Sequence, residues 1–164
     1  MADITIRLVE ADDVQRLDTA LRRLSEAIGD PHGATPEQLR EAGFGPHPAF
    51  RAQLAEAGGA VVGATLYSPV FSTVRAGAGV YVSDLWAAPS VRGAGLGQRL
   101  LAAAAQDAAT VWGARFLKLV VYDDNVRARA FYDRLGFIAS SGETTLTLDA
   151  AGFASLAAKQ GAPR

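Results

Sequence analysis

A strand, a glycine-rich turn and a helix follow one another from Val82 to Leu101 (VSDLWAAPSVRGAGLGQRLL), and any fold for this chain has to accommodate that unit. Aromatic and β-branched residues carry the strand from Val80 through Trp86, and Pro89 stops it. Beyond the turn, Leu96, Leu100, Leu101 and Ala104 recur at helical spacing. Between the two lie Arg92, Gly93, Ala94, Gly95 and Gly97. Glycines ahead of a helix let the backbone approach a ligand. The first N–H groups of that helix, at the positive end of its dipole, form an anion site. Arg92 adds a charge suited to phosphate oxygens. The loop therefore reads as a pyrophosphate cradle. A dinucleotide fold needs Gly-x-Gly-x-x-Gly, whereas the third glycine falls one residue early, at Gly97, and Gln98 takes its place. A P-loop needs Lys-Ser/Thr after the last glycine, and Gln98-Arg99 follows instead. For the loop alone, a plain strand-to-helix turn whose glycines serve geometry stays open.

Two motifs, in order, resemble the GNAT family of N-acetyltransferases. Arg92 to Gly97 matches its acetyl-coenzyme A motif, Arg/Gln-x-x-Gly-x-Gly/Ala, through Arg92, Gly95 and Gly97. Downstream, Asn125, Ala128, Tyr132, Gly136 and Phe137 match Asn-x-x-Ala-x-x-x-Tyr-x-x-x-Gly-Phe. The resemblance covers nearly the whole chain. It implies an α/β fold: a mixed, mostly antiparallel sheet with a central splayed parallel strand pair and helices on both faces. The implied order is β-α-α-β-β-β-α-β-α-β-β, in one acetyltransferase domain over residues 1–164.

Composition agrees with a single globular domain. The chain has 164 residues, 49% of them hydrophobic and 20% charged, enough for one core and too few for two ordinary ones. With a net charge of −1 and no basic run, it lacks the electrostatic footprint of nucleic-acid binding. Without cysteine it can form neither disulfides nor Cys-based zinc sites, and it has no Cys nucleophile. No apolar run approaches a membrane span and no signal-peptide core is present, so a soluble cytoplasmic protein is expected.

Along the chain, Ile4, Ile6 and Leu8 form the apolar face of a first strand. Asp12 or Asp13 caps a helix with Val14, Leu17, Leu21, Leu24 and Ile28 buried, ended by Gly29. Thr35-Pro36-Glu37-Gln38 starts a short helix ending near Gly43, and the Gly- and Pro-rich residues 43–48 are expected to be irregular. Strands follow at Phe50 to Glu56 and Ala60 to Tyr67 around a Gly58-Gly59 turn. Ser68 to Gly79 is expected to be a polar lead-in to the central strand. The helix after the cradle should stop at Gly113, and Arg115 to Val121 reads as a strand covered on both faces. Asp124 or Asn125 opens a helix ending at Gly136. Phe137 to Ser140 and Thr144 to Leu148 read as a closing strand pair, Asp149 caps a last helix, and 160–164 should fray.

The resemblance also assigns roles. The strand Val80 to Ala88 would splay from the strand Arg115 to Val121, with backbone groups of Leu85, Trp86 and Ala87 pairing the pantetheine arm. The cradle of Arg92, Gly93, Ala94, Gly95, Leu96 and Gly97 would hold the pyrophosphate, with Asn125 on the pantetheine and Arg134 on a phosphate. Asn125 could equally be a helix cap, and Arg134 a solvated surface residue. Tyr132 would protonate the departing thiolate, the other reading being a half-buried aromatic beside Phe131. An amine nucleophile, with pKa near 10, must lose a proton first. Residues 37–48, and Leu66-Tyr67 leading to Phe71-Ser72-Thr73, look like the diamine (spermidine/spermine) acetyltransferase branch. That branch places a glutamate base where this chain has Ser83, in Ser83-Asp84-Leu85. Asp84 points to the opposite face from Ser83 unless a bulge intervenes. The base is then Asp84 through a bulge, a water chain, or an acid such as Glu26 or Glu41; Asp84 as a purely structural carboxylate is equally open. His32 and His47, beside prolines in loops, read as surface or hydrogen-bonded histidines, with His47 a candidate to line the acceptor pocket, and no metal site is expected. The function expected is acetyl transfer from acetyl-CoA to a small primary amine (a polyamine, diamine or lysine-like amino acid) by direct attack, in a homodimer. A coenzyme A-binding sensor and a protein N-acetyltransferase are the alternatives.

Overall fold

Five strands form one sheet in the order β1-β2-β3-β4-β5, which coincides with their order along the chain. They are β1 (Ile4–Leu8), β2 (Arg51–Ala57), β3 (Ala60–Ser72), β4 (Gly77–Ala87) and β5 (Leu117–Leu119). The first three pairings are antiparallel and β4–β5 is parallel. This computed structural model describes residues 3–161. The chain divides into two compact units, Met1–Asn125 and Val126–Arg164. The whole sheet lies in the first unit.

Helices α1 (Val14–Ile28) and α2 (Pro36–Phe44) connect β1 to β2, and α3 (Leu96–Trp112) connects β4 to β5. Period-2 alternation in the strands feeds two cores. Ala52, Leu54, Ala64 and Trp86 pack with Val14, Leu17 and Leu21 of α1 and Leu39 of α2. On the opposite face, Ala55 packs with Leu96 and Leu100 of α3. Gly63 of β3 makes room for that helix: a Cβ there would stand 3.0 Å from both leucine side chains. A buried polar hub locks α3 to the sheet. Asp107 accepts two bonds from Arg51, at 2.6 and 2.9 Å, and one from the Tyr67 hydroxyl at 2.7 Å. Gln53 donates to that hydroxyl at 3.1 Å, and Trp112 meets the Tyr67 ring edge-on.

The expected caps appear at the end of α1 and the start of α2, whereas Asp13 stands at the start of α1 without capping it, its carboxylate being held by Arg7 and the Glu10 N–H. Gly29 ends α1 in the left-handed conformation, and Thr35 and Gln38 form a reciprocal capping box at the start of α2. Helix α2 runs to Phe44, so irregularity begins two residues later than the glycines suggest. The expected lead-in Ser68 to Gly79 is instead a hairpin, because β3 continues to Ser72 and β4 begins at Gly77. Cross-strand pairing with β4 outweighs the polar composition there. The strand expected over Arg115 to Val121 shortens to Leu117–Leu119 and is half-buried, with Lys118 and Val120 exposed.

The second unit contains α4 (Val126–Arg134) and α5 (Ala150–Ala158). Asp149 caps α5 by accepting from the Gly152 N–H at 2.8 Å. The strands expected over 137–140 and 144–148 do not form, and Ile138 and Leu146 are 93% and 89% exposed. Alternation alone does not make a strand that has no ladder partner. Lys159–Gly161 is a 3-10 turn, and 162–164 lie outside the described residues.

Candidate active site

Two features of the first unit converge where β4 ends. The first is the turn into α3. Gly93 and Gly95 have φ of 82° and 77°, the left-handed region, and Gly95 is the residue that opens α3. A Cβ on either would meet nothing within 4 Å, so these glycines serve backbone conformation rather than space. No side chain caps the helix, and Arg92, Gly93, Ala94 and Gly95 are exposed around its N-terminus. Arg92 donates from Nε to the Ala87 carbonyl at 3.1 Å, tying the turn to the end of β4. Leu96 is buried against Leu100, and Gly97 is half-buried.

The second feature is a bulge. Leu66 pairs with Asp84 but Tyr67 pairs with Val82, so Ser83 is an extra residue in β4. A bulge reverses the alternation that follows it. Asp84 is thereby turned to the α1 side, and Leu85 toward α3. Ser83 and Asp84 both line a cleft of about 310 Å³ with Leu21 and Leu24 of α1, Asp30 and His32. The Ser83 hydroxyl donates to Asp84 Oδ2 at 2.7 Å. Burial pushes the Asp84 carboxyl above its usual range, opposed by that hydrogen bond and by the charge of His32. Asp30 accepts from the Tyr122 hydroxyl at 2.9 Å. The β4–β5 ladder ends at Val82/Leu119, while β4 continues to Ala87. Residues 83–87 thus extend past the parallel pair.

Behind the cleft, Asp18 of α1 is 5% exposed. Its Oδ1 lies 2.9 Å from His32 Nε2, and its Oδ2 accepts from Arg22 Nε at 2.8 Å. Burial opposes ionisation of Asp18, but these two partners outweigh it and hold the carboxyl below the usual range. Glu26, Glu41 and His47 are exposed and do not line the cleft. Asn125 donates its N–H to the Tyr122 carbonyl at 3.0 Å, immediately before α4. In the second unit, Tyr132 is half-buried between Phe131 and Phe137, with ring centroids 5.1 and 5.4 Å away. Burial raises its phenol above the ordinary value. Arg134 is the exposed last residue of α4.

The model of the acetyltransferase (GNAT) family matches residues 16–137. The chain belongs to the GNAT acetyltransferase family. Thialysine N-epsilon-acetyltransferase of Bos taurus is 32% identical over 146 residues, covering 83% of this chain and 85% of that protein. Among solved structures, an integron cassette protein from the mobile metagenome of V. cholerae superposes with a TM-score of 0.76 at 22% identity, covering 96% of this chain and 98% of that one. An aminoglycoside N-acetyltransferase in complex with CoA superposes with a TM-score of 0.71 at 18% identity, covering 91% and 95%. Family and curated relatives together make this GNAT chain an acetyl-CoA-dependent acetyltransferase.

Within this GNAT chain, the sequence motifs fall on the turn into α3, the bulged end of β4 and α4. His32 and Asp18 were not singled out by those motifs. A signal for Asp18 existed: four residues after Val14 and three before Leu21, it occupies the buried stripe of α1, where an unpaired carboxylate is costly. His32 had none, because only the fold brings its loop beside β4.

Proposed function

We propose that this protein transfers the acetyl group of acetyl-CoA to the primary amine of a small cationic molecule, a polyamine, diamine or lysine-like amino acid, by direct attack. The observation that carries this reading is the cleft beside the β4 bulge, which is small, partly apolar and lined by two carboxylates, Asp30 and Asp84. An ammonium group entering it would meet opposite charge, and that charge in turn favours the ionised form of Asp84. The 32% identical bovine relative is named for acting on thialysine, a lysine-like amine, which supports the same acceptor class.

On this reading the turn Arg92 to Gly97 binds the pyrophosphate, through Arg92 and the N–H groups at the start of α3. The run of β4 that extends past its pairing with β5, at Leu85, Trp86 and Ala87, receives the pantetheine arm, and Asn125 borders it. Arg134 contacts a phosphate. Asp84 and Ser83 hold the acceptor, and Tyr132 returns a proton to the departing thiolate. The reading includes one acetyltransferase domain over residues 1–164, a cytoplasmic location and a homodimer of the 17.1 kDa chain.

The test is thiol release from acetyl-CoA across spermidine, lysine, thialysine, neutral amino acids and peptides. Selective turnover of one cationic small amine supports the reading. Turnover confined to peptides, or tight binding of acetyl-CoA with no turnover of any amine, refutes it.

A further inference from the structure

We infer that His32, oriented by Asp18, is the group that takes the proton from the acceptor amine. The inference rests on the proposed acetyl transfer and supplies the base that Ser83 cannot be.

His32 sits in the loop between α1 and α2 and lines the same cleft as Ser83 and Asp84. Its side chain is only 12% exposed, so it is a component of the cleft wall and not a surface histidine. Its Nε2 is fixed 2.9 Å from Asp18 Oδ1. Ionised Asp18 is an acceptor only, so the neutral ring carries its hydrogen on Nε2 and leaves Nδ1 as the basic nitrogen. Asp18 is in turn held by Arg22 at 2.8 Å. A buried carboxylate behind one ring nitrogen, with a reacting group before the other, is the arrangement by which a histidine accepts a proton and keeps its orientation.

The charged groups around the ring divide by element. Helix α1 supplies Asp18 and Arg22, the loop itself supplies Asp30, and β4 supplies Asp84. Leu39 of α2 and Leu66 of β3 add only apolar wall. Three carboxylates and one arginine thus surround the ring. In the step, one N–H bond of the ammonium breaks and the proton passes to Nδ1. The freed nitrogen lone pair then bonds to the thioester carbonyl carbon. As the C–S bond breaks, the electron pair leaves on sulfur. The phenol of Tyr132 protonates the thiolate and is restored by the second amine proton, and the imidazolium returns its own proton to solvent. Asp84 holds the ammonium and is not consumed, and Asp18 is a positioning residue.

The experiment is a pH profile of kcat/KM for the best amine in the spermidine, lysine and thialysine panel, measured for the wild type, His32→Gln, Asp18→Asn and Asp84→Asn. Glutamine preserves a donor toward Asp18 but cannot accept a proton. His32→Gln is expected to lower kcat by roughly 10²-fold or more, with the KM for acetyl-CoA and the melting temperature near wild type, and to remove the acidic limb of the profile. Asp18→Asn is expected to keep that limb but move it to lower pH, because the imidazolium loses its counter-charge. A purely structural role for Asp18 would not move the limb. A His32→Gln rate within twofold of wild type, or an acidic limb lost in Asp84→Asn and kept in His32→Gln, overturns the assignment while leaving acetyl transfer intact. Absence of turnover of every amine by the wild type overturns both.

Discussion

Replacing Tyr67 with phenylalanine tests how α3, and with it the turn at its N-terminus, is held. Tyr67 is fully buried, and its hydroxyl donates to Asp107 at 2.7 Å while accepting from Gln53 at 3.1 Å. Burial and the adjacent Asp107 push its phenol well above the ordinary value, so the hydroxyl is neutral and donating at any working pH. Phenylalanine keeps the ring and its edge contact with Trp112 but removes both hydrogen bonds. A bond to a charged acceptor contributes about 1.5–3 kcal/mol, and a buried amide left without its acceptor costs about 1 kcal/mol or more. Arg51 still pairs with Asp107, and loss of the desolvated hydroxyl itself is favourable, so the net effect should be about 2–3 kcal/mol. For a chain of this size that is about 4–12 °C in Tm. Urea unfolding and a thermal melt would measure it. A shift under 1 °C would show that the hub does not anchor α3 and would refute the reasoning.

Gly95→Ala should cost about 1–2 kcal/mol, because the residue sits at φ 77° with open space around its Cβ. Calorimetry should also show weaker acetyl-CoA binding, and unchanged affinity would detach the turn from the cofactor. Tyr132→Phe should lower kcat at least tenfold with acetyl-CoA affinity unchanged, as stopped-flow thiol release and equilibrium binding would show. Asp13 supplies a pH test. Hydrogen bonds from Arg7 at 2.6 and 2.8 Å lower its carboxyl from 3.8 to about 2, despite burial. Because the folded value lies below the unfolded one, this stability is present above pH 3.8 and is lost as pH falls toward 2. Arg7 is 38% exposed, so screening reduces the contribution to about 1 kcal/mol. Asp13→Asn should lose that amount at pH 7, with the difference from wild type vanishing near pH 2 in acid titrations of unfolding.

Local signals in the sequence suffice wherever one element determines its own limits. The αL glycine after Ile28, the Thr35–Gln38 box and Gly113 after Trp112 end or begin helices as expected. Such signals fall short where a distant partner decides. Ser68 to Ser72 is strand because β4 pairs with it, and 144–148 forms no strand despite its alternation. The candidate site shows the same division. The turn Arg92 to Gly97 is a local motif and was legible. The alternation rule named a bulge as the condition for turning Asp84, yet nothing in Ser83-Asp84-Leu85 announces one; it arises from register with Leu66 and Tyr67. His32 and Asp18 meet only across the loop that follows α1.

The steady-state KM values of Asp84→Asn, for both substrates, test most directly the claim that the bulge aims a carboxylate into an amine cleft. The expected result is a KM for the cationic amine raised about tenfold, with the KM for acetyl-CoA unchanged. An unaltered amine KM, or a change confined to acetyl-CoA, would contradict it.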